Sequence, residues 1–138
     1  MEKSLEAAYR ATHFVVEDPR WSGVILVGEP TPELDDFLRD QGFSAWAYIT
    51  AYNPRSELLR DDVNQARHND LIQMLDVDEI PWLSGVGRNP DGSWPADPSV
   101  LVWGIDRATA VEIGRTFGQN AIVCGTLGGQ AELVACFE

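Results

Sequence analysis

Basic residues are scarce in this sequence: ten Lys and Arg stand against 22 Asp and Glu, a net charge of −12. Phosphate contacts need cations, so a chain with this field repels nucleic-acid backbones and no nucleic-acid partner is expected. The same field could hold a basic protein partner, or simply keep the chain in solution. Cysteine and histidine are as sparse, with two of each. Cys124, Cys136, His13 and His68 show no ligand spacing, which argues against a metal site. If Gly128-Gly129 turns a hairpin, Cys124 faces about Leu133 and Cys136 faces about Ala121, so no disulfide is expected. Long apolar runs are missing too. The N-terminal MEKSLEAAYR does not read as a signal peptide, and no segment is long enough to span a bilayer. A reducing cytoplasm is the expected setting. There is no GxGxxG, no P-loop and no nucleophile elbow, so no cofactor is expected and the catalytic templates are mostly empty.

The chain has 138 residues, of which 44% are hydrophobic. That is enough for a single domain to bury roughly two-thirds of the surface its unfolded chain exposes. Residues 5–11 suit a short helix. His13–Glu17 and Gly23–Gly28 read as paired strands. Thr31 and Pro32 start a helix that Gly42 ends. In the strand Ser44–Tyr52, Trp46, Tyr48, Thr50 and Tyr52 share one face. The small opposite face of Ala45, Ala47, Ile49 and Ala51 should pack under a helix. Asn53-Pro54 breaks that strand, and Ser56 is placed to cap a long helix reaching about Leu75. Strands are expected at Ile80–Gly87 and Trp94–Ile105, joined by the Asn89–Gly92 turn. Asp106 caps a helix to Phe117, and Ala121–Gly125 with Gln130–Phe137 forms a last hairpin. Strands in pairs with helices between them predict an α+β fold. The expected form is a two-layer sandwich, its sheet mixed or mainly antiparallel, with helices mostly on one face.

Two short segments concentrate the unusual polar residues. Thr50-Ala-Tyr-Asn-Pro-Arg-Ser56 lies where a strand gives way to a helix. A helix N-terminus offers free N–H groups to an anion or carbonyl, and Arg55 adds a fork of donors. Asn53 and Ser56 also fit plain turn and cap roles. On a wheel of the following helix, Leu59, Val63, Ala66, Leu71, Met74 and Leu75 form an apolar arc, and Asn64 and Arg67 fall inside it, as do Arg60 and Asp70. A buried Arg or Asn is costly unless paired, so each needs a partner or an open cleft. His68 falls on the outer side. In the second segment, Phe117–Ile122, Gln119 and Asn120 carry donors and acceptors between a helix end and a strand. Trp94, near Gly92 and Ser99, could floor a site for a flat ligand or close one end of a core. Asp97 or Glu112 could serve as a base.

The run Tyr9-Arg-Ala-Thr12, Ile49-Thr-Ala-Tyr-Asn-Pro54, Asn64, Gly92-Ser-Trp94, Ser99 and Phe117-Gly-Gln-Asn-Ala121 resembles the DUF3293 proteins, small bacterial domains of unknown function. The resemblance spans nearly the whole chain and implies no activity. From the residues, the leading expectation is a pocket for a small polar or anionic ligand. It would be built from Thr50, Asn53, Arg55, Asn64, Arg67, Trp94, Ser99, Gln119 and Asn120. The alternatives are an enzyme, hydrolase or transferase, using the same pocket; an acidic interaction module; and a purely structural polar network.

Overall fold

The computed structural model describes residues 1–137. Helix α1 (Lys3–Ala11) precedes the hairpin β1 (His13–Asp18) and β2 (Trp21–Ile25). Helix α2 (Pro32–Gln41) leads into β3 (Ala45–Thr50), and a short helical turn (Pro54–Ser56) into α3 (Asp61–Val77). The hairpin β4 (Trp82–Arg88) and β5 (Asp97–Trp103) follows, then α4 (Arg107–Thr116), β6 (Ala121–Thr126) and β7 (Glu132–Ala135). All seven strands join one sheet in the order β2-β1-β4-β5-β3-β6-β7. Every described pairing is antiparallel, so the sheet resolves to the antiparallel form.

The fold is α+β as expected, with a sheet that is curled, half of a barrel. Two apolar clusters show why. One gathers Ala47, Ile49, Ala51, Val100, Val102 and Ile122 under Leu71 and Leu75 of α3 and Ala110 and Ile113 of α4. The small-residue face of β3 does pack beneath helices, as its alternation predicts. The other cluster runs from Ile25 at one edge to Leu133 at the other, taking in Val16, Tyr48, Leu83, Leu101 and Val123, with Leu34 and Leu38 of α2. It fills the inside of the curl. Helices therefore cover both faces, because the central strands are apolar on both sides. At one corner the chain beyond each edge strand meets: Gly28 N donates to Ala131 O at 2.8 Å, and Ala131 N to Glu29 O at 2.9 Å.

Three local expectations shift. Ser56 caps nothing: Asn53, Arg55 and Ser56 all take positive φ, and α3 begins at Asp61 after Arg60. A left-handed run cannot feed directly into a right-handed helix, so Glu57–Arg60 intervenes. On α3, Leu71, Leu75 and Asn64 are buried, while Val63 and Ala66 are exposed, so the apolar arc is narrower than the wheel suggests. In the last hairpin Cys124 pairs with Glu132 and Ala121 with Ala135, one residue off the expected register. Leu127–Gly129 forms the loop, with Gly128 at φ 78° and Gly129 N on Thr126 O, which adds a residue to the turn. Both cysteines are unpaired and buried.

Candidate functional site

The two polar segments lie side by side, held by backbone and side-chain bonds together. Arg55 N donates to Gly118 O at 2.8 Å, Gln119 Nε2 to Tyr52 O at 3.1 Å, and Asn120 Nδ2 to Ser56 Oγ at 2.9 Å. Gly118, at φ 68°, leaves room for Pro54: a Cβ there would stand 3.0 Å from the proline's Cβ. Arg67 crosses beneath, its Nε on Ala51 O at 2.9 Å and its terminal nitrogen on Phe117 O.

Asn53 is the hub of this corner. It is 5% exposed and sits at φ 48°, a conformation Asn tolerates better than most residues. Asn64, 2% exposed, grips it twice, accepting from Asn53 N at 2.9 Å and donating to Asn53 Oδ1 at 2.8 Å. Leu59 N adds a third bond, to Oδ1, at 2.9 Å. With its oxygen committed, Asn53 presents its amide outward, and Nδ2 donates to Asp97 Oδ1 at 3.0 Å. Trp94 Nε1 reaches the other carboxylate oxygen at 3.1 Å.

Asp97 stands on the wall of a cavity of about 250 Å³. Helix α1 closes one side through Leu5, Ala8 and Tyr9, with Thr12 just beyond its end, and the Asn53 loop with Gln119 closes another. The floor is the inside of the sheet, where Phe14, Gly87, Asp97, Thr50 and Ser99 meet in register: Phe14 faces Gly87, Gly87 faces Asp97, and Thr50 faces Ser99. Glycines on β4 open that floor. A Cβ on Gly87 would sit at ordinary contact distance, 3.8 Å from Thr12 Cγ2 and 4.0 Å from Asp97 O and Phe14, so a side chain there narrows the floor. Gly85 makes room for Tyr48, whose hydroxyl donates to Val15 O at 2.7 Å; a Cβ there would lie 2.4 Å from that carbonyl.

Burial raises the pKa of Asp97 above the usual carboxylate value, while the hydrogen bonds from Trp94 and Asn53 pull the other way. No Lys, Arg or His lies within salt-bridge distance of Asp97 among the described residues. Burial also raises the phenols of Tyr9 and Tyr48.

Of the nine residues expected at the site, the cavity takes Thr50, Asn53, Trp94, Ser99 and Gln119. The other four stand behind it or apart. Asn64 positions Asn53, Arg67 ties Ala51 to Phe117, and Asn120 holds Ser56. Arg55 turns to the surface, its guanidinium 3.6 Å over the Phe137 ring. His68 is half-buried instead of outward, its ring edge-on to Tyr52 at 6.0 Å, and burial lowers its pKa. Sequence reasoning named Asp97 only as a loose base and missed Tyr9, Tyr52 and Gly87 as lining. Asp97 shares a face with Ser99, Leu101 and Trp103 by period-two counting, and that was its available signal.

A family model of proteins of unknown function, DUF3293, matches residues 49–122, just over half of the chain. The chain belongs to the DUF3293 family. The matched span holds Asn53, Asn64, Trp94, Asp97 and Gln119, so the polar wall of the cavity lies within the DUF3293 region, whereas α1 lies outside it. No curated protein and no solved structure matches the chain. Among the described residues of this DUF3293 chain, no three His, Cys, Asp or Glu side chains come together as a metal site. No helix among them is long and apolar enough to cross a membrane.

Proposed function

We propose that this DUF3293 domain binds a small polar ligand in the cavity between α1, the Asn53 loop and the inner face of the sheet. The observation that carries the reading is Asp97. A half-buried carboxylate without a counter-ion is costly to maintain, and folds retain such groups mainly where they serve a site. The wall around it is aromatic, with Tyr9, Phe14, Tyr52 and Trp94, which suits a ligand with a flat or apolar body. Anion recognition loses its support, because Arg55 and Arg67 are engaged elsewhere and no arginine lines the cavity.

Thermal-shift screening against metabolites tests this, with Gly87→Val as the control. Position 87 accepts a Cβ at ordinary contact distance, so valine narrows the floor, and a variant that keeps a cooperative unfolding transition should lose the shift. Compounds that stabilise both proteins equally, or none that stabilises the wild type, would count against the cavity as a site.

Asp97 also favours a second reading, an enzyme in which it acts as general base or acid. A hydrolase or transferase of this kind requires activity that Asp97→Asn abolishes. A screen of ester, phosphoester and amide substrates without turnover would leave binding as the function.

A further inference from the structure

We infer that the ligand of this cavity is a cation rich in hydrogen-bond donors, such as an amine or amidine, with Asp97 as its counter-ion. The inference rests on the binding reading and adds the ligand's chemical class. It follows from where the protein's polar hydrogens go. Around the cavity, Thr50 donates its hydroxyl hydrogen to Pro98 O at 2.7 Å, Ser99 to Asp97 O at 2.8 Å, and Tyr48 to Val15 O at 2.7 Å. The Gln119 amide is spent on two carbonyls, Tyr52 O at 3.1 Å and Phe117 O at 3.3 Å. Trp94 gives its one N–H to Asp97. The wall has thus used most of its donors on itself.

What it keeps is acceptor capacity. Each oxygen of Asp97 takes one bond from the protein and retains a second lone pair. A ligand bringing only acceptors finds the hydroxyls of Tyr9 and Ser56 and the second amide hydrogen of Asn53, whereas one bringing N–H groups meets both oxygens of a carboxylate. Charge points the same way. The chain's net charge is −12, and a cleft with low-dielectric walls focuses such a field. Tyr9, Tyr52 and Trp94 line the cavity as well, and aromatic rings offer a cation the negative side of their quadrupoles.

Three probes of one shape separate the possibilities: benzamidinium, benzamide and benzoate, titrated into isotope-labelled protein and followed by amide chemical shifts. Benzamidinium should bind at least about tenfold more tightly than benzamide, as a charge-assisted contact implies, with the shifts centred on Asn53, Asp97 and Gln119. Benzoate should bind more weakly than either. The benzamidinium preference should shrink at high salt and largely vanish in Asp97→Asn. Benzamide or benzoate binding as well as benzamidinium, or a preference that survives in Asp97→Asn, overturns the cation. Silence from all three overturns it as well. Ligands found in the thermal-shift screen and lost in Gly87→Val would then still uphold the cavity as a site. If Asp97→Asn does not fold, the wild-type ranking of the three probes decides.

Discussion

Asp97 carries two consequences that can be separated by titration. Its folded pKa is raised by burial, so between the ordinary carboxylate value and that raised value the folded chain keeps a proton the unfolded chain has released. Stability contributed by this group is therefore lost as pH rises across that window. Asp97→Asn removes the effect. The stability of the variant minus that of the wild type, from urea unfolding, should grow as pH rises from the ordinary carboxylate value through the raised one. Asp18 and Asp106 have lowered pKa values and push the wild-type curve the opposite way, which is why the difference between the proteins is the informative quantity. A difference that stays flat with pH would mean the carboxylate is better solvated than its place on the cavity wall implies. The cysteines are the contrast at this scale. Burial pushes both thiols up to about 11, which keeps them in the unreactive protonated form.

At the scale of elements, the Asn53 loop depends on α3. Asn64 stands on the first turns of that helix and holds the loop by both ends of its amide. Asn64→Ala leaves Asn53 N–H and Oδ1 buried without those partners, and the expected loss is about 2–3 kcal/mol in urea unfolding. Asn64→Asp should cost at least as much, because it retains the acceptor for Asn53 N but sets a buried carboxylate oxygen against Asn53 Oδ1. A markedly smaller loss for Asp than for Ala would locate the energy in packing instead. Much of this element structure is legible in the sequence. Period-two alternation places β3 and its two faces, and glycine ends α2 as read, with Gly42 at φ 85°. Asp106 caps α4 as read, accepting from Thr109 N at 2.8 Å. The Asn53-Pro54 break is visible, but the left-handed run after it is not, since Arg and Ser carry no signal for positive φ. Hence the helix start is misplaced by several residues. The polarity of the site is legible as a set of residue types. Which of them face the cavity depends on bonds between distant segments, and sequence spacing does not reveal those.

For the whole molecule, the excess of negative charge sets the response to salt. Seven ion pairs are present among the described residues, and in six of them both side chains are well exposed. Exposed pairs contribute little, whereas a net charge of −12 repels itself throughout. Adding sodium chloride up to about 0.3 M should therefore raise the melting temperature by a few degrees, as screening weakens the repulsion. A fall would show that the ion pairs outweigh it. Curling of the sheet was the least legible feature. It arises from apolar residues on both faces of the central strands and from a meeting of the two edges, and neither is a local pattern.

That meeting of edges also bears on how the chain reaches its fold. The bonds from Gly28 and Glu29 to Ala131 join segments separated by most of the sequence. Closing so long a loop is entropically unfavourable until other contacts have brought its ends together. The corner should then form late, after the β4–β5 hairpin and the β3 pairings have gathered the strands between. Folding should be slower than for a purely hairpin-built sheet, because three of its six strand pairings, β1–β4, β3–β5 and β3–β6, join segments distant in sequence. Substitutions at the corner should accelerate unfolding while leaving the folding rate nearly unchanged.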